Sequence, residues 1–276
     1  MTSPGTTFRF VPAKGRGCQL LEIIDLDKTY GQSPTPALRA FNLTVKSGEF
    51  VSLIGPSGCG KTTALRIATG LLRPSGGQVL LDGKPSLAPS RDKAIVFQHF
   101  NLFPWRTALA NAAYGLEVQG VPKKEHLAKA REYLEFVGLS DRMHHYPSQL
   151  SGGQNQRVGL ARALAIEPKL VLMDEPFGSL DALTREHLQA LLQRIAAEKN
   201  LTVLFVTHSV DEAIFLSDRI VVMGVPGRVI GEFNVGLARP RADYDWRSTD
   251  EYTEIRTEIW RMLEAELERS EPLAAA

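Results

Sequence analysis

Short apolar runs and longer amphipathic segments alternate along the chain. The run at residues 50–54 is apolar except for one serine and is bounded by glycine, which is typical of a strand buried in a parallel sheet. Residues 61–72 follow with helical composition, and the glycine- and proline-containing segment 73–77 ends them. Further strands are predicted at residues 20–26, 40–45, 78–81, 94–97, 170–173, 202–207, 220–223 and 227–233.

The middle of the chain, residues 105–166, has helical composition and no convincing strand. Helices are predicted there at residues 109–116, 124–137 and 154–166, and another at 183–198 separates two later strands. Strands that alternate with helices in this order favour a mainly parallel sheet with helices on both faces. We therefore expect an α/β fold in which the middle segment forms an inserted helical subdomain.

The last part of the chain predicts a separate amphipathic helix. Residues 248–251, Ser-Thr-Asp-Glu, match a capping box at its start. We expect its apolar face to pack on the main domain; the alternative is that this face docks a partner or a second subunit. The residues of the face recur at helical spacing: Ile255, Ile259, Met262, Leu263 and Leu267.

These patterns divide the chain into three parts. Residues 1–19 form a polar N-terminal arm without periodicity, residues 20–235 form the main domain, and residues 236–276 form a linker and a helix. Within the main domain, the helical subdomain covers about 99–166.

Composition and charge exclude several classes of protein. The formal net charge is +1, so no overall field draws the chain towards nucleic acid or anionic lipid. Two cysteines, Cys18 and Cys59, make no disulfide framework and fit a reducing compartment. No apolar run reaches the roughly 18 residues of a membrane span, and the start of the chain lacks a signal-peptide core. If the protein works at a membrane, we expect it to bind, from the cytosolic side, to another protein that spans the membrane.

The eight residues after the strand at 50–54 match the pattern G-x-x-x-x-G-K-[S/T]. Glycines let successive backbone N–H groups turn inward around an anion, and the helix that follows adds its positive N-terminal end. The lysine of this pattern reaches the β- and γ-phosphates of a nucleoside triphosphate, and the final hydroxyl ligates Mg²⁺. An accidental glycine-rich turn is the alternative, but the strand before and the helix after favour a phosphate loop. The residues are Gly55, Pro56, Ser57, Gly58, Cys59, Gly60, Lys61 and Thr62, with Thr63 as a further contact and Cys59 expected to contribute only its backbone.

Two acids, Asp174 and Glu175, end the apolar strand at residues 170–173. A carboxylate buried at a strand end is costly unless a cation meets it, and Asp174 can meet one in the Mg²⁺ shell. Glu175, one residue further on, can polarise the attacking water as a general base. Two acids in a surface turn are the alternative, which the upstream phosphate loop disfavours.

Two polar residues follow other predicted strands. His208 comes directly after the strand at 202–207, where it can reach a γ-phosphate. It also precedes a capping-box pattern at 209–212, so a histidine satisfied at a helix start is the alternative. The two interpretations are compatible if the helix cap fixes the turn that orients His208. Gln98 follows the strand at 94–97 and is a candidate for contact with Mg²⁺ or water.

Ser151, Gly152, Gly153 and Gln154 open another predicted helix. Their spacing is also that of a capping box, which is the structural alternative. Two consecutive glycines at a helix start leave backbone N–H groups exposed, as a second phosphate site needs.

Taken together, these motifs resemble those of the nucleotide-binding subunit of ABC transporters over about residues 20–233. The phosphate loop resembles the family's Walker A motif, and residues 150–154 resemble its signature. The other matches are Asp174 and Glu175 (Walker B and the catalytic glutamate), His208 (the switch histidine), Gln98 (the Q-loop), residues 179–181 with Asp181 (the D-loop) and Tyr30 (the aromatic that stacks on adenine).

The resemblance implies a P-loop NTPase core, with a mainly parallel sheet, flanking helices and an antiparallel β part, that binds ATP with Mg²⁺ and hydrolyses it. It implies a head-to-tail homodimer with ATP between the phosphate loop of one copy and residues 151–154 of the other. Integral membrane permease subunits would be the partners at the cytoplasmic face of the inner membrane, and nucleic acid would not be one. A periplasmic or extracellular substrate-binding protein would be an indirect partner. The surface at residues 98–106, with Phe100, Phe103 and Trp105, is the candidate permease contact; core packing of these aromatics is the alternative.

Finer features resemble the bacterial importers of nitrate, sulfonate and taurine, at residues 102–105, 177–185, 208–213 and 225–230. Asn155 and Ser179 depart from that branch. The expected function is ATP hydrolysis that energises uptake of a small anion or organic solute. The alternatives are an ABC-type ATPase of DNA repair or translation, which usually carries a coiled-coil insertion or two cassettes, and a small-molecule kinase, which has no task for residues 151–154.

Overall fold

The computed structural model describes residues 18–31, 35–98 and 101–274. The predicted N-terminal arm lies outside the described residues except for its end, where Gln19 already belongs to the first strand. The strands are β1 Gln19–Lys28, β2 Leu38–Lys46, β3 Phe50–Ile54, β4 Gly76–Leu81, β5 Lys84–Pro85, β6 Lys93–Val96, β7 Leu170–Asp174, β8 Thr202–Val206, β9 Arg219–Gly224 and β10 Arg228–Asn234. The α-helices are α1 Lys61–Thr69, α2 Ala108–Val118, α3 Lys123–Phe136, α4 Gly152–Ala165, α5 Ala182–Glu198, α6 Val210–Leu216 and α7 Asp250–Ala274.

The central sheet has six strands in the order β10-β9-β3-β8-β7-β6. All neighbours from β9 to β6 pair in parallel, and β10 adds an antiparallel edge. A second sheet, β2-β1-β4-β5, is antiparallel. The mainly parallel sheet and the antiparallel part predicted above are therefore both present.

Both faces of the central sheet are covered, which is why its strands are nearly all apolar. In β3, Phe50 and Ile54 point into the core formed with α2 to α6, whereas Val51 and Leu53 point into the core formed with α1 and the antiparallel sheet. Helix α1 thus lies between the two sheets, with the phosphate loop at its start.

Helices α2, α3 and α4 pack on one another between β6 and β7 in the chain. They bring together the small and aliphatic residues of the helical block, among them Ala112, Leu134 and Val158, each almost fully buried. The division into domains remains a prediction, because the same apolar core continues from this block to the central sheet.

Helix α1 ends at Thr69, three residues before the predicted end. Gly70 has φ 84°, and its N–H bonds back to the carbonyl of Ile67, so the helix ends in a left-handed turn. A Cβ at Gly70 would lie 2.3 Å from the carbonyl carbon of Ala88, so close packing also requires a glycine there.

The C-terminal helix packs on the domain. Ile255, Ile259 and Leu263 are buried against the core that includes α6, whereas Leu267 is 49% exposed. The predicted capping box at 248–251 is wrong, because Thr249, not Ser248, accepts the first-turn N–H, from Tyr252 at 3.3 Å.

Candidate nucleotide-binding site

Four loops leave the central sheet at the same edge. Strands β3, β8, β7 and β6 are adjacent and parallel, so their carboxyl ends lie side by side. These ends lead into the phosphate loop, into Thr207 and His208, into Asp174 and Glu175, and into Gln98. An edge of this kind is the usual ligand-binding edge of an α/β sheet.

The phosphate loop has the backbone that its glycines predict. Gly60 forms the N-cap of α1 with φ 99°, a conformation that favours glycine. A Cβ there would lie 2.4 Å from the carbonyl oxygen of Ala37, so the neighbouring chain also excludes a side chain. Within the loop, the N–H of Cys59 donates to the carbonyl of Pro56 at 3.3 Å.

Lys61 lies buried inside the loop, with 7% of the residue exposed. Its Nζ donates to the carbonyl oxygens of Gly55 at 2.7 Å and Pro56 at 2.9 Å. Among the described residues, the ammonium group is bonded to carbonyl oxygens and pairs with no carboxylate, which suits it to an incoming anion. Beside it, burial raises the pKa of the Cys59 thiol, which argues against a reactive thiolate.

Thr62 and Asp174 meet across the site. The Thr62 hydroxyl donates to Asp174 Oδ1 at 3.0 Å. Burial raises the pKa of the Asp174 carboxyl, although that hydrogen bond and Lys61 act in the opposite direction. Among the described residues, no group of three or more His, Cys, Asp or Glu side chains is arranged so that it could hold a metal ion.

Glu175 and His208 form the second pair. His208 Nδ1 lies 3.2 Å from Glu175 Oε2, and the histidine side chain is 67% exposed. Glu175 adopts φ 45°, and its N–H donates to the carbonyl of Val206 at the end of β8. A positive φ at a residue other than glycine costs free energy and is found where the surroundings impose it, often at functional sites.

Gln98 and Tyr30 lie at the margin of the site. A Cβ built on Gly178 would be 3.3 Å from Gln98 Nε2, so the amide lies beside the turn that follows Glu175. The Tyr30 hydroxyl is 3.2 Å from Thr63 Oγ1, and its ring is 47% exposed beside the first turn of α1.

Residues 151–154 form a complete capping box at the start of α4. The Ser151 hydroxyl accepts the N–H of Gln154, and the Gln154 amide oxygen accepts the N–H of Ser151. A Cβ at Gly153 would lie 2.5 Å from Thr184 Cγ2, so α4 packs closely on α5 at this point. Asp181 caps α5 and accepts the N–H of Thr184 at 3.0 Å, an interaction that lowers the pKa of its carboxyl.

The capping box predicted at 209–212 is only half formed. Ser209 Oγ accepts the N–H of Glu212, but the Glu212 carboxylate turns inward to Thr207 and Gln189. Gln189 comes from α5, which the spacing within 209–212 cannot reveal. Asn155, which departs from the importer branch, donates its amide to the carbonyl of Leu150, the first residue of the segment that resembles the signature.

Of the predicted aromatic surface, Phe100 lies outside the described residues. Trp105 is 71% exposed, whereas Phe103 is half-buried and packs on Tyr114 with ring centroids 4.6 Å apart. Arg106 completes this patch through an ion pair with Glu117. Phe103 thus packs on the helical block, and a permease contact of Trp105 remains a prediction.

Comparisons with known proteins agree with this geometry. A family model for the ABC transporter matches residues 38–178. An ABC transporter ATP-binding protein of Methanocaldococcus jannaschii, described as uncharacterized, is 49% identical over 235 residues, which are 85% of this chain and 86% of that protein. The chain belongs to the ABC transporter family. The predicted P-loop ATPase fold and the predicted activity, ATP hydrolysis, are confirmed at the level of this family.

Other relatives fall in the branch that the sequence resembles. The bicarbonate transport ATP-binding protein CmpC of Synechococcus elongatus is 46% identical over 81% of this chain and 34% of its own length. The nitrate import ATP-binding protein NrtC of the same organism is 43% identical over 83% of this chain and 35% of its own. The chain thus spans about a third of the length of either protein.

Among solved structures, the dimeric post-hydrolysis state of an ATP-binding cassette bound to ADP and phosphate superposes with a TM-score of 0.70. It is 36% identical, and the match covers 79% of this chain and 100% of that chain.

No helix in the described residues is long and apolar enough to cross a membrane.

Proposed function

We propose that the chain is the ATP-hydrolysing subunit of a bacterial importer for a small anion or organic solute. The observation that carries this proposal is the single sheet edge at which the phosphate loop, the Thr62–Asp174 pair and the Glu175–His208 pair converge. These are the groups that binding a triphosphate, holding its metal and activating water require.

ATP binds with its phosphates in the loop at residues 55–62, against the N-terminal end of α1. Lys61 exchanges the carbonyls of Gly55 and Pro56 for phosphate oxygens, which satisfies its charge more fully. The exposed ring of Tyr30 stacks on the adenine, and Thr63 lies beside it.

Thr62, Asp174 and Gln98 would hold Mg²⁺. The Thr62 hydroxyl and the Asp174 carboxylate already converge, and the raised pKa of Asp174 marks a desolvated carboxylate that a cation would stabilise. Such a set fits Mg²⁺, because this ion prefers oxygen ligands and is usually bound through one or two carboxylates together with substrate phosphates. When bound, the ion neutralises charge on the β- and γ-phosphates.

Hydrolysis uses Glu175 as the general base. Its carboxylate takes a proton from water as the water oxygen forms a bond to the γ-phosphorus, and the bond to the β–γ bridging oxygen breaks to leave ADP and inorganic phosphate. His208, held 3.2 Å from Glu175, contacts the γ-phosphate.

The site is completed by a second copy. Gly153 contacts α5, and Ser151, Gly153 and Gln154 line an open cleft together with Asp141, Arg142 and Arg157. The N-terminal end of α4 can therefore meet a phosphate from outside the chain. A head-to-tail dimer places that end, together with Asp181, over the phosphate loop of the partner. The dimeric, ADP-bound structural relative supports this arrangement.

The partners in the membrane are permease subunits, and the chain is peripheral on the cytoplasmic face. Trp105 projects from a patch that Phe103 and Arg106 hold in place, which suits it to insert between permease helices. A substrate-binding protein outside the membrane is an indirect partner. The bicarbonate and nitrate relatives favour a small oxyanion as the substrate.

The test uses the complete complex of this chain, its permease and its binding protein in proteoliposomes. Nitrate, bicarbonate, taurine and an alkyl sulfonate are supplied separately, and phosphate release is measured. We expect one of the oxyanions to raise the rate, and no rate in a matched complex with Glu175→Gln. A chain that does not co-purify with a permease, or a rate that no solute changes, would contradict the proposal.

A further inference from the structure

The turn that carries His208 rests on a buried carboxylate. Glu212, which is 7% exposed, lies in the first turn of α6. Its Oε2 accepts the Thr207 hydroxyl at 2.5 Å, and its Oε1 accepts the side-chain amide of Gln189 at 2.7 Å. Because the Thr207 oxygen also accepts the N–H of Ser209, its hydroxyl proton is directed to Glu212.

The donor directions require Glu212 to act as an acceptor on both oxygens. Burial raises the pKa of its carboxyl, while Thr207, Gln189, Arg185 and His208 act in the opposite direction. The N-terminal end of α6 adds favourable positive potential. A buried polar cluster in which both carboxylate oxygens and the threonine hydroxyl are bonded holds its members in one arrangement.

This cluster joins two parts of the catalytic edge. Thr207 directly precedes His208, whose exposed ring follows the backbone beneath it and contacts Glu175. Gln189 belongs to α5, the helix that Asp181 caps. Arg185 on the same helix donates to the carbonyl of Leu180 at 2.8 Å.

We propose that Gln189, Glu212 and Thr207 are positioning residues that hold His208 in register with Glu175 and with the start of α5. The proposal rests on the catalytic role proposed for His208. The three side chains act through the histidine backbone rather than on the nucleotide. Loss of the bonds among these side chains should therefore lower kcat. The KM for ATP should stay nearly unchanged, because the phosphate loop follows a different strand, β3.

The chain offers a matched control one helical turn along α5. Gln193 is at least as buried as Gln189; its amide donates to the carbonyl of Phe215 at 2.8 Å, and its amide oxygen also accepts the N–H of Arg241 at 2.8 Å. It thus makes the same kind of bond to α6, but at the end of α6 remote from His208. If such bonds had a purely structural role, Gln193→Met would lower kcat at least as much as Gln189→Met, because it removes more buried bonds.

The experiment measures kcat, KM for ATP and the thermal midpoint of the full chain. Gln193→Met should lower the midpoint at least as much as Gln189→Met, because it also leaves the Arg241 N–H without its acceptor. Only Gln189→Met should lower kcat, by about tenfold or more. Thr207→Val should behave like Gln189→Met, and Thr207→Ser, which keeps the hydroxyl, should restore kcat. Combined with His208→Ala, Thr207→Val should lower kcat no further.

Three outcomes decide the matter. If His208→Ala turns over like the wild type, the role proposed for His208 fails and the cluster has nothing to position. If His208→Ala is impaired while Gln189→Met and Thr207→Val keep kcat, only the positioning proposal fails. Equal losses of kcat in Gln189→Met and Gln193→Met would also overturn it, since the bond near His208 would then have no special effect.

Discussion

Asp174 and Glu175 are neighbours in the chain but have different surroundings. Asp174 accepts the Thr62 hydroxyl and is desolvated, whereas Glu175 turns towards the exposed ring of His208. The positive φ of Glu175 produces this divergence, because it redirects the chain just after the strand end. One carboxylate is thus suited to a cation and the other to a water molecule.

Replacing Glu175 with glutamine should separate binding from hydrolysis. The amide has the same shape but accepts protons far more weakly, so kcat should fall by at least about a hundredfold. The affinity for ATP should stay within a few-fold of the wild type. Phosphate release and nucleotide titration measure the two effects, and turnover at the wild-type rate would contradict the role of Glu175.

Replacing Asp174 with asparagine should uncouple Mg²⁺ from the nucleotide. The Thr62 hydroxyl can still donate to the asparagine oxygen, and a desolvated charge is removed, so the nucleotide-free protein should be no less stable. The extra thermal stabilisation that Mg²⁺ adds to bound ADP should be lost. Thermal midpoints with ADP, with and without Mg²⁺, test this; an undiminished Mg²⁺ effect would exclude Asp174 as a ligand.

At the scale of elements, helix α7 is bonded to the rest of the domain near its start and again at Glu266. Near its start, the Tyr252 hydroxyl donates to Asp211 in the first turn of α6 at 2.9 Å. Towards its end, Glu266 is 2% exposed and accepts the N–H of Val225 at 2.8 Å, with Arg228 paired at 3.1 Å. The helix therefore braces the turn between β9 and β10 as well as burying its apolar face.

Glu266→Ala should destabilise the protein by about 2 kcal/mol, because it removes a buried acceptor and leaves the Val225 N–H without its partner. Glu264→Ala, on the exposed side of the same helix, should change stability by no more than about 0.5 kcal/mol. Urea unfolding compares the two variants. Equal effects would show that the brace contributes nothing specific.

Local patterns predicted most elements well, because the period of the apolar positions and the positive φ that favours glycine at position 60 are local properties of the chain. They failed where a side chain has a distant partner. Glu212 looked like one half of a capping box, but its carboxylate bonds to Gln189, 23 positions away in the sequence. Nothing in the local spacing at 209–212 distinguishes these two arrangements.

At the scale of the whole molecule, the proposed dimer requires the phosphate loop and residues 151–154 to be two complementary surfaces on one chain. A surface that matches another on the same chain leads to a symmetric pair in which each contact occurs twice. In the proposed dimer, the nucleotide is therefore part of the interface. Ser151→Asp probes this directly, since aspartate still caps α4 but places a negative charge where the partner's phosphate would lie.

The most direct measurement is the mass in solution of Glu175→Gln with ATP, compared with the double variant Glu175→Gln/Ser151→Asp. Both proteins should bind ATP equally, because each keeps its own phosphate loop. We expect the single variant to have twice the mass of one chain in ATP but not in ADP, and the double variant to stay monomeric in both. A double variant that dimerises as readily, or a single variant that binds ATP and stays monomeric, would contradict a site shared between two copies.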